Sequence, residues 1–104
     1  MIDVDKTIKT ALNTGKVSIG VEQTLDATKT GRARLLIIAS NCPERFREEA
    51  QYYAELSNVP WYVYPGSGLD LGVACGKPFG ICLMVVRDPG DSDVLRLVER
   101  EDVK

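Results

Sequence analysis

Apolar positions along the chain switch repeatedly between a helical and an extended period. From residue 3 to 14 they fall at Val4, Ile8, Ala11 and Leu12, a helical stripe with acids in its first turn. Gly15 stands where a helix C-terminus favours a left-handed residue. Residues 16–19 (KVSI) alternate and are β-branched, predicting a strand. Gly20 then opens a threonine-rich helix over about 21–30, ended by Gly31. The clearest strand is Arg34 to Ala39 (RLLIIA), with no polar residue between its ends, so both of its faces should be covered by helices.

Ser40-Asn41-Cys42-Pro43 leads into a helix running to about Ser57, with Pro43 suited to its first position and Phe46, Ala50, Tyr53 and Ala54 on its inner stripe. Asn58 and Pro60 stop it, and Trp61 to Tyr64 is the next strand. Strand, helix, strand from 34 to 64 makes a βαβ unit with parallel strands and a right-handed crossover. Ser67 should cap a short helix over 68–75, with Asp70 as the capping-box acid and Gly76 as its stop. Ile81 to Val86 (ICLMVV) is the last buried strand, followed by an Asp88-Pro89-Gly90 turn. Residues 91–98 fit neither period. The pattern predicts one α/β domain over residues 1–104, a three-layer α/β/α sandwich on a mixed sheet of about four strands.

The chain has 104 residues, 44% of them hydrophobic and 27% charged, enough for one core and too few for two. No apolar run approaches the ~18–20 residues that span a bilayer, and the first ten residues lack the apolar stretch of a secretory signal. An intracellular protein with no membrane partner is expected. There is no histidine, which excludes a His-containing triad and imidazole metal ligation. Cys42, Cys75 and Cys82 are odd in number and form no CxxC, so free thiols are expected rather than a disulfide framework or a metal site.

Glycines at 66, 68, 72, 76 and 80 invite a phosphate loop, but neither spacing fits. The third glycine of a dinucleotide fingerprint would come one residue late, at Gly72, and Gly76-Lys77 follows Gly72 too closely for a Walker loop and continues with Pro78. The acid pairs Glu48/Glu49 and Asp91/Asp93 sit in polar surroundings with no partner geometry for acid–base work. No cofactor, no catalytic residue and no metal ligand emerge, and the chain is expected not to be an enzyme.

Charge changes the picture once it is read locally. The net charge of −2 argues against a nucleic-acid partner. Yet residues 29–47 hold Lys29, Arg32, Arg34, Arg45 and Arg47 against Glu44 alone, Lys77 and Arg87 follow, and the acids gather after residue 88. Ligands of α/β sheets collect at the carboxyl ends of strands. Gly20 and Asn41 follow the first two strands, and Phe79, between glycines and Lys77, precedes the last. If that last strand runs opposite to the first two, all three loops share one rim, where an amide can meet a base edge and a phenyl ring can stack on an unpaired base.

Three strings carry a resemblance: Gly31 through Pro43 (GRARLLIIASNCP), Tyr52 through Ser57 (YYAELS) and Leu71 through Phe79 (LGVACGKPF). Over residues 8 to 97 the chain resembles the archaeal "L thirty-e" family of large-subunit ribosomal proteins, within the wider kink-turn-RNA-binding superfamily. The resemblance implies a non-catalytic RNA-binding domain in the cytoplasmic ribosome, with ribosomal RNA and neighbouring ribosomal proteins as partners. It implies an RNA surface from Gly20 and Val21, from Ser40, Asn41 and Cys42, and from Gly76, Lys77, Pro78, Phe79, Gly80 and Ile81, with Phe79 and Ile81 against unstacked bases. Where many members carry lysines, this chain has Glu22 and Asp26, so these acids either turn away or leave affinity to Lys29, Arg32, Arg47 and Lys77. Two alternatives remain open: a protein-interaction module using the acidic tail and the exposed side of the Tyr52 helix, and a small enzyme binding a phosphorylated metabolite.

Overall fold

The computed structural model describes residues 4–88 and Gly90. Among these residues four helices and four strands alternate: α1 (Val4–Thr14), β1 (Lys16–Ile19), α2 (Val21–Lys29), β2 (Leu35–Ala39), α3 (Glu44–Leu56), β3 (Trp61–Tyr64), α4 (Gly68–Ala74) and β4 (Leu83–Asp88). The strands form one mixed sheet in the order β1-β4-β2-β3. β2 pairs parallel with β3, while β4 is antiparallel to both β1 and β2. β1 and β2 therefore run the same way with β4 between them.

The apolar run of β2 is buried at all five positions, because a helical layer covers each face. Leu35, Ile37 and Ala39 pack with Met84, Val86 and the inner residues of α1 and α4, Ile8, Ala11 and Leu71. Leu36 and Ile38 pack with Leu83, Val85 and the inner residues of α2 and α3, Leu25, Ala27, Ala50 and Ala54. The period of two along β2 and β4 thus divides the core into two halves, and the three-layer sandwich follows.

Several boundaries differ from the sequence reading. β4 begins at Leu83 rather than Ile81 and runs to Asp88. Ile81 donates its N–H to the Gly68 carbonyl (2.9 Å), so it is an apolar loop residue and not a ladder residue. Pro43 is the N-cap of α3, with φ −52° and ψ 137°, one place before the first helical residue. Gly15 does not take a left-handed conformation, whereas Gly31 and Gly76 do; its N–H continues the helical ladder to the Ala11 carbonyl and the chain passes straight into β1. The capping box on α4 forms as expected: Ser67 Oγ accepts from Asp70 N–H, and Asp70 Oδ2 accepts from Ser67 N–H. Gly90 N–H donates to Asp88 Oδ1. Residues 91–98, and with them Asp91, Asp93 and the acidic tail, lie outside the described residues.

Candidate nucleic-acid interface

The sheet order decides which loops meet. β1 and β2 end where β4 begins, so the loops at 20–21, 40–43 and 75–82 share one rim. Backbone hydrogen bonds stitch them together: Gly20 N–H to the Leu83 carbonyl (3.2 Å), Ala39 N–H to the Cys82 carbonyl (3.0 Å) and Ile81 N–H to the Gly68 carbonyl (2.9 Å). Gly20 turns the chain from β1 into α2 at φ 108° and ψ 155°, a region that side chains exclude.

Asn41 is anchored in this rim. Its Oδ1 accepts from Gly68 N–H at 2.8 Å. A backbone N–H can only donate, so the amide orientation is set and the Nδ2 donors are left for a ligand. Ser40 is occupied twice by the Gly66 carbonyl, through its N–H (3.1 Å) and its Oγ (2.9 Å). Both residues thus tie the loop after β2 to the entry of α4.

Phe79 is 54% exposed on the loop that folds back along α4. The backbone beneath it is fixed by close approach. A Cβ on Gly72 would lie 2.0 Å from the Phe79 carbonyl oxygen, so only glycine lets the loop lie there. Lys77 N–H donates to the Gly72 carbonyl (2.9 Å), holding the near end of the same loop. Gly76, Lys77, Pro78 and Gly80 are all exposed.

Four expected contributors are corrected. Ile81 is 2% exposed and sits in the core with Tyr64 and Met84, so its side chain is not part of the rim surface. Cys42 is likewise buried; its Sγ lies 3.2 Å from Cys82 Sγ, and burial first, then the hydrogen bond with Cys82, push its thiol up to about 12. Lys29 ends α2 and Arg32 lies just beyond it, near where β2 starts. The Arg34 N–H there bonds the Val86 carbonyl, the five-residue length of β2 or about 17 Å from the rim end of that strand. Lys29 Nζ stands 4.7 Å over the Tyr53 ring, a packing role. Arg32 lines a hollow of about 470 Å³ with Ser18, Gln23, Asp26 and Arg87. Asp26 lines this hollow rather than the rim loops, while Glu22 stays exposed in the first turn of α2.

Arg47, half-buried in the first turns of α3, and Lys77 remain as rim cations. Arg45 joins them: exposed in the first turn of α3, its guanidinium lies 4.6 Å from the Phe46 ring centre. The local charge count included it, but only the helix start shows that it belongs at this end. Leu69 and Val73, 72% and 74% exposed one turn apart on α4, were also missed. Val21 is half-buried and packs on the α2–α3 half of the core. Among the described residues no cluster of three metal-ligating groups occurs, and no helix is long and apolar enough to cross a membrane.

Residues 2–96 match the model of the "Ribosomal protein L7Ae/L30e/S12e/Gadd45 family". The chain belongs to this family. A "Large ribosomal subunit protein eL30" of Pyrobaculum calidifontis is 46% identical, across 95% of this chain and 98% of that protein. Its namesake in Methanobrevibacter smithii is 44% identical, across 91% and 96%. The one in Methanothermobacter thermautotrophicus is 41% identical, across 93% and 99%. A solved structure of a protein with unknown function from Bacillus halodurans C has the same fold, with TM-score 0.81 at 23% identity over 95% of this chain and 99% of that one. Membership in the L7Ae/L30e family makes this a ribosomal-type structural protein rather than an enzyme, and removes the phosphometabolite alternative.

Proposed function

We propose that the chain is a structural protein of the large ribosomal subunit, in the cytoplasm, and that its rim holds a kink-turn-like internal loop of RNA. The observation that carries this reading is the meeting of three sequence-distant loops that leave an exposed phenyl ring, Phe79, and the Nδ2 donors of an anchored amide, Asn41, at one end of the sheet. A donor pair suits the acceptor atoms of a purine edge, and a phenyl ring suits an unstacked base. Arg45, Arg47 and Lys77 supply the phosphate attraction, which weakens with salt. The name shared by the relatives supports ribosomal RNA and neighbouring ribosomal proteins as partners.

Crosslinking to a kink-turn RNA, with peptide mapping, tests the reading. Peptides containing positions 20, 41 and 79 should crosslink together, and a duplex without the internal loop should give none of them. Crosslinks confined to the Lys29–Arg32 end would overturn it. A second reading, a protein-interaction module of a ribonucleoprotein, is favoured by Tyr52 and Leu56, 58% and 64% exposed one turn apart on α3. Absence of co-purifying ribosomal RNA after a high-salt wash would favour that module.

A further inference from the structure

Two thiols from opposite walls of the rim lie against each other. Cys42 comes from the loop after β2 and Cys82 from the loop before β4, and their sulfurs are 3.2 Å apart although 40 residues separate them in sequence. The backbone on both sides is already tied, by Cys42 N–H to the Ala39 carbonyl and by Ala39 N–H to the Cys82 carbonyl, so the two sulfurs are held in register. Cys82 is half-buried and reachable from solvent, while Cys42 is enclosed in the α2–α3 half of the core. Burial and the contact with Cys82 keep the Cys42 thiol protonated, Arg47 offsetting only the smallest part of this, so the more open Cys82 is the sulfur that meets oxidant first. The third thiol cannot compete, because Cys75 packs on the opposite face of the sheet against Met84 Sδ at 3.8 Å.

We propose that Cys42 and Cys82 form a reversible redox latch, closed by peroxide and opened by small thiols, that staples the β2–α3 loop to the α4–β4 loop across the rim. Cys82 reacts first: its sulfur takes one oxygen from hydrogen peroxide, giving a sulfenic acid and one water. Cys42 Sγ then attacks that sulfur; the S–S bond forms, the S–O bond breaks, and the hydroxyl leaves as water with the Cys42 proton. The two sulfurs together lose two electrons, and the peroxide gains them. Closing the bond brings the sulfurs from 3.2 Å to about 2.05 Å. A thiol–disulfide pair in a reducing compartment rests open and closes transiently, as regulatory pairs do.

The latch does not depend on the RNA reading, and its test needs no RNA. The folded full-length chain is treated with stoichiometric hydrogen peroxide and followed by intact mass, peptide mapping and amide exchange. The expected result is a monomer lighter by about 2 Da, the loss of two hydrogens, with Cys42 and Cys82 peptides linked and Cys75 still alkylatable. Dithiothreitol should restore the mass, and exchange at residues 40–42 and 79–83 should slow in the oxidised form. A Cys75→Ala chain should still lose the two hydrogens, and a Cys82→Ser chain should not. Gain of about 16 or 32 Da without loss of hydrogens, a linkage through Cys75, or covalent dimers would overturn the proposal. The wild-type measurement decides the matter even where Cys42→Ala fails to fold.

Discussion

A single backbone donor settles what Asn41 presents. Because Gly68 N–H points at Oδ1, the amide keeps its nitrogen for a partner. Asn41→Asp keeps an oxygen for Gly68 but loses both donors and places a negative charge beside the rim. RNA affinity should therefore fall by on the order of 1–3 kcal/mol, while the thermal midpoint stays near that of the parent. Binding and melting curves of the two proteins check this together. Phe79 separates function from folding in the same way. More than half exposed, it contributes little to the core, so Phe79→Ala should leave stability unchanged. Its RNA complex should weaken by about 1–3 kcal/mol, the size of one base–aromatic stack, as read by titration at fixed salt.

At the scale of elements, α4 and the loop folded along it act as one unit. Gly72 is helical and buried, a position where alanine would ordinarily favour the helix. Here the added carbon would meet the Phe79 carbonyl, so helix or loop must give way. Gly72→Ala should lower stability by about 1–3 kcal/mol and weaken RNA binding with it. A denaturant titration showing a gain instead would mean that the close approach is absent. This contact is one that a linear pattern does not carry, since the glycine reads as one of five in a turn-rich stretch. Periodicity located the four helices and four strands of the described residues, because each helix has an apolar stripe and each strand an apolar or alternating run. It misplaced the start of β4 because Ile81 is as apolar as a strand residue while its N–H bonds a helix carbonyl. The rim itself was legible at Gly20, Asn41 and Phe79, since strand order dictates which loops meet. Lys29 and Arg32 misled because a charge count along the chain does not say which end of a helix each cation occupies.

For the molecule as a whole, charge is divided between two ends of the sheet. Glu22 lies in the first turn of α2 near the rim, whereas Asp26 lines the hollow with Arg32 and Arg87. Glu22→Lys should tighten RNA binding and steepen its salt dependence, and Asp26→Lys should do neither; parallel titrations at several salt concentrations distinguish them. The response to pH follows from buried acids. Cys42 and Cys75 are pushed, chiefly by burial, from 9.0 to about 12 and about 11, and burial and then its hydrogen bond to Asp5 raise the Tyr64 hydroxyl as well. The unfolded chain loses these protons first, so it binds fewer of them at alkaline pH and the slope of stability is negative there. The contribution is whole below pH 9 and drains away as pH climbs toward 11 to 12, with no histidine to add a step near neutrality. Denaturant titrations from pH 6 to 11 should show a plateau and then a decline, smaller in Cys75→Ala. The strand order also has a temporal meaning. β4 is the last of the described elements to be made, yet it is inserted between β1 and β2, so β1 has no strand partner until it arrives. A nascent polypeptide halted before residue 83 lacks the strand that joins β1 to β2, so the loops that follow those two strands have nothing to hold them side by side.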